Sequence, residues 1–119
     1  VSRDEDVAAL LPLPETTFHV LVALADGERH GYAILQDVEE RTGGAVQLSA
    51  GTLYRAVHRM LEQGLVGETH APADADRDDE RRRYYRITPL GEAVVRAESR
   101  RLAALLDLAR AKGLAPRRG

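Results

Sequence analysis

The sequence predicts a mainly α fold with a small β wing: a winged helix-turn-helix followed by one long helix. Three observations predict it. Two helical stretches with a short link between them lead into Ser49–Leu65, in helix-turn-helix order. Two short strand-like runs joined by a long polar tip follow directly. The helical pattern opened by Thr88-Pro89 then runs to about Lys112, longer than so small a domain can cover.

Composition bounds the function. The chain has 119 residues, 44% of them hydrophobic, which suits one domain with a modest core. It has no Cys, which excludes a disulfide framework, a thiolate nucleophile and a Cys-based zinc site. No apolar run approaches the ~18 residues of a membrane span and no signal peptide is visible, so a cytoplasmic protein is expected. The net charge is −2, so a case for nucleic acid must rest on local charge. Lys112 is the only Lys among the 17 basic residues; Arg suits bidentate contacts, but a codon bias produces the same count.

Residues 1–14 start acidic and turn apolar, and Pro12 and Pro14 stop any long helix, so a flexible N-terminal arm is expected. A winged-helix unit is expected over 15–88. Its first helix, Glu15 to Ala25, is apolar nearly all round (Phe18, Leu21, Val22, Val20, Leu24), which predicts burial on two sides and hints at a partner. The second, about His30 to Arg41, turns Gly31, Ile34, Leu35 and Val38 inward and Tyr32, Gln36 and Glu39 outward. Gly31 allows a close approach of its backbone to a neighbour.

The third helix is the one to which function is assigned. Ser49 is an N-cap, Gly64 an αL stop, and Leu53, Val57, Met60 and Leu61 make the buried stripe. The opposite face carries Gly51, Thr52, Arg55, His58, Arg59 and Glu62. Free N–H groups at such a helix start suit a phosphate, and the two arginines one turn apart suit phosphates or base edges. A solvated face with charges at i and i+4 is the alternative.

Leu65–His70 and Arg82–Ile87 are read as the two strands of the wing, with Arg83, Tyr85 and Ile87 on one face and Arg82, Tyr84 and Arg86 on the other. Residues 71–80 carry net charge −4 and residues 81–86 carry +4. Arg81, Arg82 and Arg83 can therefore meet phosphates while the acidic tip cannot. A charged edge strand is the alternative for these arginines. The long helix, within 89–113, starts at the Thr88 cap and has an apolar stripe of Leu90, Val94, Ala97, Leu102, Leu105, Leu106 and Ala109, with Arg96, Arg100, Arg101 and Arg110 on its polar side. Such a stripe calls for a second helix. We expect a dimer arm, with Phe18, Leu21, Leu90, Val94, Leu102, Leu105, Leu106 and Ala109 at the interface; folding back on its own core is the alternative. Residues 114–119 are expected to form a disordered tail.

No catalytic or metal constellation emerges. His19, His30, His58 and His70 form no close pair, and the acidic run from Asp74 lacks the Gly and the terminal Glu of a calcium loop. No cofactor, no metal and no enzyme activity are expected.

Four segments, in order, resemble the PadR family of bacterial transcriptional regulators: HGYAILQDVEERTGG (30–44), LSAGTLYRAVHRMLEQGLV (48–66), RRRYYRITPLGEAV (81–94) and the long helix. The resemblance implies the short form of that family, with one C-terminal dimerisation helix. It implies a homodimer that represses at a palindromic operator in double-stranded DNA, with a small-molecule effector among its partners. It also implies that the helix matching Ser49–Gln63 enters the major groove and that the wing lies along the backbone. Ala50 stands where many relatives have Pro, and there is no Trp to stack a planar drug at the dimer interface. The DNA contacts expected are Ser49, Gly51 and Thr52 at the helix start, Tyr54, Arg55, His58 and Arg59 along the groove, and Tyr32 with Arg81, Arg82 and Arg83 on the backbone. Two rival readings are a winged-helix protein–protein module without DNA binding, and an enzyme or metal sensor.

Overall fold

Leu21, Leu24, Ile34, Leu53, Met60 and Leu65 are among the largest fully buried side chains, and they come from successive parts of the chain. The computed structural model describes residues 3–117. Val1, Ser2, Arg118 and Gly119, the outer ends of the expected arm and tail, lie outside the described residues. The elements are α1 (Arg3–Ala9), α2 (Glu15–Ala23), β1 (Arg29–His30), α3 (Gly31–Arg41), α4 (Ala50–Gln63), β2 (Val66–Thr69), β3 (Tyr84–Ile87) and α5 (Pro89–Ala111). A 3₁₀ turn occupies Asp79–Arg81.

α2 sits at the centre, against α3, α4 and α5. Val20, Leu21 and Ala23 are completely buried within the single chain. The all-round apolar character of this helix is thus satisfied without a partner. Leu21, expected at a dimer interface, belongs to the inner core instead, and so does Val94, which also has 0% exposure. Fully burying a leucine is worth about 1.5–3 kcal/mol, and the monomer already gains it here.

α4 and α5 form where their end signals place them. The Ser49 hydroxyl accepts the Thr52 N–H at 3.1 Å, and Gly64 closes α4 in the left-handed region at φ 76°. The Thr88 hydroxyl accepts the Gly91 N–H at 3.0 Å and donates to the Gly64 carbonyl at 2.6 Å. One side chain therefore starts α5 and ties it to the end of α4. Gly91 lies against the Leu65 carbonyl and Ile87, where a Cβ would collide.

The sheet has three antiparallel strands in the order β1-β3-β2, with Arg29 opposite Tyr85 and Val66 opposite Ile87. Sequence reading had no place for β1, which is two residues long. Because β1 and β2 flank β3, β3 is the central strand, and the edge-strand reading of the wing arginines fails. Arg81 ends the 3₁₀ turn, and Arg82 and Arg83 link it to β3. Tyr84 is 5% exposed and packs against His30; Tyr85 is 3% exposed on the other face.

The N-terminal segment is ordered rather than a flexible arm. α1 packs on α5, Val7 and Leu13 join the core, and the Leu13 N–H donates to Glu98 Oε2 at 3.2 Å. Glu98 is buried, and its carboxylate also accepts from Arg101 Nε and Nη2 at 2.6 and 3.0 Å. Arg101 therefore turns to the core side of α5, not to the polar side expected. The guanidinium, acting mainly through that hydrogen bond, holds the Glu98 carboxyl below its ordinary range against the effect of burial. Beyond Arg101 the helix leaves the body, and every residue from Leu102 to Leu108 is exposed. After Gly113 the chain turns back: the Leu114 N–H reaches the Ala109 carbonyl at 2.9 Å, and Arg110 Nε reaches the Pro116 carbonyl at 2.8 Å. Residues 114–117 thus form a closed turn, contrary to the disorder expected there.

Candidate nucleic-acid interface

α4 buries Leu53, Ala56, Val57 and Met60 and presents the rest of its surface. Gly51, Tyr54, Arg55, His58, Arg59 and Glu62 line one broad, open depression on that outer face. Of the residues singled out on this helix, Gly51, Tyr54, Arg55, His58 and Arg59 are thus brought together, while Ser49 and Thr52 lie outside the depression at the helix start. Arg55 folds back along the helix start, with Nη2 3.4 Å from Thr52 Oγ1 and Nη1 over Gly51. His58 lies 3.5 Å from Glu62. Among the described residues, neither Arg55 nor Arg59 is held by a carboxylate.

The start of α4 is pre-organised. Ser49 Oγ takes the Thr52 N–H and donates its own proton to Thr52 Oγ1 at 2.9 Å. That leaves the Thr52 hydroxyl proton, and the amides of Ala50 and Gly51, without an acceptor at the exposed helix end. The absence of a Cβ at Gly51 lets the Arg55 guanidinium lie close to the backbone there.

Tyr32 and Tyr54 are large aromatic rings on the surface, 53% and 49% exposed. Gly31 explains the placement of Tyr54: its missing Cβ leaves room for the phenol, whose Cζ would lie 2.8 Å from such an atom. The close approach expected of the Gly31 backbone is thus made, and the neighbour is the Tyr54 side chain. Tyr32 stacks near His30, with centroids 6.5 Å apart, and Arg82 lies over its ring at 5.5 Å from the centroid.

The wing arginines divide. Arg82 Nε is 3.2 Å from Asp79 Oδ1, and Arg83 Nη1 is 3.6 Å from Glu68. Arg81 is exposed at the end of the 3₁₀ turn. Asp79, from the acidic tip, thus folds against the basic link and occupies an arginine. It also faces His30 Nε2 at 3.6 Å, too long for a hydrogen bond. His30 Nδ1 accepts the Ala33 N–H at 3.1 Å as the α3 N-cap, which fixes the tautomer. Burial, aided by Arg82, lowers the His30 pKa from its ordinary 6.5, although Asp79 and Asp76 pull the other way.

Sequence reasoning missed this cluster of His30, Tyr84 and Asp79, because it is assembled by β1 and the 3₁₀ turn. It also missed Glu98, although a lone acid in the stripe between Val94 and Leu102 was a visible signal. The expected interface residues Phe18, Leu90 and Ala109 are half-buried, while Leu102, Leu105 and Leu106 are 42%, 51% and 40% exposed. Among the described residues no three His or acidic side chains converge as metal ligands would, and no helix is long and apolar enough to cross a membrane.

Residues 20–97 match the transcriptional regulator PadR-like family. The transcriptional regulator Rv3488 of Mycobacterium tuberculosis is 37% identical over 92 residues, 77% of each chain. An uncharacterized protein of Lysinibacillus sphaericus is 31% identical over 74 residues, 62% of this chain and 65% of that one, so the match spans just under two thirds of its length. A PadR family transcription regulator from Clostridium difficile superposes with a TM-score of 0.70 at 22% identity, covering 82% of this chain and 96% of that one. Bacillus subtilis PadR, solved in complex with operator DNA, superposes with a TM-score of 0.56 at 17% identity, covering 68% of this chain and 44% of that one.

Proposed function

This chain belongs to the PadR-like family of transcriptional regulators, and from that premise we propose that it is a repressor that binds a palindromic operator as a homodimer. α4 enters the major groove, and Tyr32 with Arg81, Arg82 and Arg83 meets the backbone beside it. A small-molecule effector releases the complex. The observation that carries the reading is the outer face of α4, where Arg55 and Arg59 stand without carboxylate partners above a capped helix start. The operator complex of Bacillus subtilis PadR, which shares the fold, supports it. The exposed leucines of α5 support a second copy as partner.

A salt titration on operator and scrambled duplexes tests the division of labour. A bidentate Arg–guanine pair is worth about 1–3 kcal/mol of discrimination. Arg55→Ala is expected to weaken operator binding by that amount and scrambled binding by less. Arg82→Ala and Arg83→Ala are expected to weaken both alike, and to flatten the salt slope by about one where a phosphate contact is lost. Equal losses for Arg55→Ala on both duplexes would show that α4 positions without reading. No change for any of these variants would remove the DNA-binding assignment.

A further inference from the structure

The side of α4 that faces α2 holds a second cavity, of about 180 Å³, lined among others by Thr16, Thr17, Thr52, Arg55 and Arg59. No acidic side chain lines it. It receives the start of α2. Pro14 precedes that helix and offers no side-chain cap, and the first intrahelical bond is the Phe18 N–H to the Pro14 carbonyl at 3.0 Å. The amides of Glu15, Thr16 and Thr17 are therefore left without acceptors at the positive end of a nine-residue helix.

Thr17 makes this more than a helix end. The residue is only 5% exposed, yet its hydroxyl has no hydrogen-bond partner. No sealed side-chain oxygen in the described residues lacks a partner, so what remains accessible of Thr17 includes that hydroxyl oxygen, open to the cavity it lines. An open hydroxyl on an otherwise enclosed residue can donate to a ligand that enters the cleft without giving up a bond to the protein. Glu15, the nearest acid in sequence, lines a different cavity and lies 3.6 Å from His19.

We infer that the cleft between the start of α2 and α4 is a seat for a phosphate of the DNA backbone, held by the Thr17 hydroxyl, the free α2 amides and the Arg59 guanidinium. The inference rests on the reading that α4 enters the major groove. A groove about 12 Å wide brings one backbone strand along each side of the helix in it. The Tyr32 and wing-arginine side meets one strand. The α2 start, on the opposite flank of α4, meets the other. Arg55 and Arg59 line both the outer face and this cleft, so they bridge the groove floor and the second strand.

The test compares the wild-type chain with Thr17→Val, Thr17→Ala and Thr17→Ser on operator and scrambled duplexes. Thr17→Val removes a hydrogen bond to a charged acceptor and is expected to weaken binding to both duplexes by at least about tenfold. The salt slope should stay unchanged, because no charge is lost. Thr17→Ser should restore binding to within about twofold. Thr16 and Thr17 amide protons should shift in NMR spectra on addition of duplex. A methylphosphonate scan of the operator should find a position, one per half-site, whose neutralisation weakens the wild type but not Thr17→Val. If Thr17→Val proves unfolded, the scan on the wild type and on Thr17→Ala decides: a sensitive position that Thr17→Ala blunts supports the seat, and none overturns it. Inorganic phosphate that shifts both amides while Thr17→Val leaves duplex affinity unchanged would make this a free-anion site and overturn the backbone assignment. Wild type that binds no duplex removes the reading beneath; wild type that binds as tightly as a folded Thr17→Val removes this inference alone.

Discussion

At the scale of single residues, two positions next to one another control the surface beside α4. Gly31 leaves the space that the Tyr54 phenol fills. The atoms a new Cβ would meet are the far end of a half-exposed side chain, so the ring can swing away. Gly31→Ala is expected to fold with a melting temperature near that of the wild type and to bind duplex several-fold more weakly. Calorimetry and fluorescence anisotropy check the two halves, and a collapse of stability with binding intact would contradict the account. His30, the adjacent residue, caps α3 in its neutral form and has a lowered pKa. The unfolded chain then takes up a proton more readily than the folded one. Stability from this group is complete above the ordinary value of 6.5 and falls as the pH drops from there toward the folded-state value. His30→Asn keeps a capping acceptor and removes the titration, so urea unfolding between pH 7 and 5 should show a shallower loss than the wild type. Parallel profiles would mean that His30 is not the sensor.

Among the elements, the wing is where charge is arranged against itself. Asp79 holds Arg82, and Glu68 lies by Arg83, so two of the arginines offered to the backbone are partly neutralised in the free protein. Replacing Asp74, Asp76, Asp78 and Asp79 with Ser should raise affinity for any duplex at low salt, and the gain should shrink as salt screens the tip. Weaker binding would show that the tip makes contacts of its own. The same elements show what a sequence displays. α4 and α5 are legible because Ser49, Gly64, Thr88 and Pro89 act within a turn of where they stand. The outer face of α4 is legible because helical spacing alone collects it. β1 is not, since a two-residue strand exists only through its partner β3. α1 is not, because Val7 and Leu13 find their contacts about 85 residues away on α5. The Thr17 cleft is likewise invisible in sequence, as it needs α2 and α4 side by side.

For the molecule as a whole, the decisive feature is a body that closes its own core and an arm that does not. α2, expected to need a partner, is covered by α3, α4 and α5. Among the described residues the exposed leucines lie in the outer half of α5 and just beyond it, at Leu102, Leu105, Leu106, Leu108 and Leu114, on a molecule 54 × 40 × 25 Å in extent. Changing Leu105 and Leu106 to Asp should therefore leave the winged-helix body folded and give a monomer, because the charges would be buried in the dimer alone. Sedimentation and circular dichroism together check this; an unchanged dimer would show that the arm is not the interface. Two half-sites about one helical turn apart, roughly 34–36 Å, are expected in the footprint.

That separation between a self-sufficient body and an arm whose leucines are left open bears on how a promoter would be switched if two arms pair as proposed. On that reading the chains would be single while the protein is scarce, and each would grip one half-site at best. Occupancy of the whole operator would then climb with roughly the square of the protein concentration, until dimers predominate in solution. The leucines of α5 would thus set a threshold in abundance, and halving or doubling synthesis near it would change transcription more than proportionately.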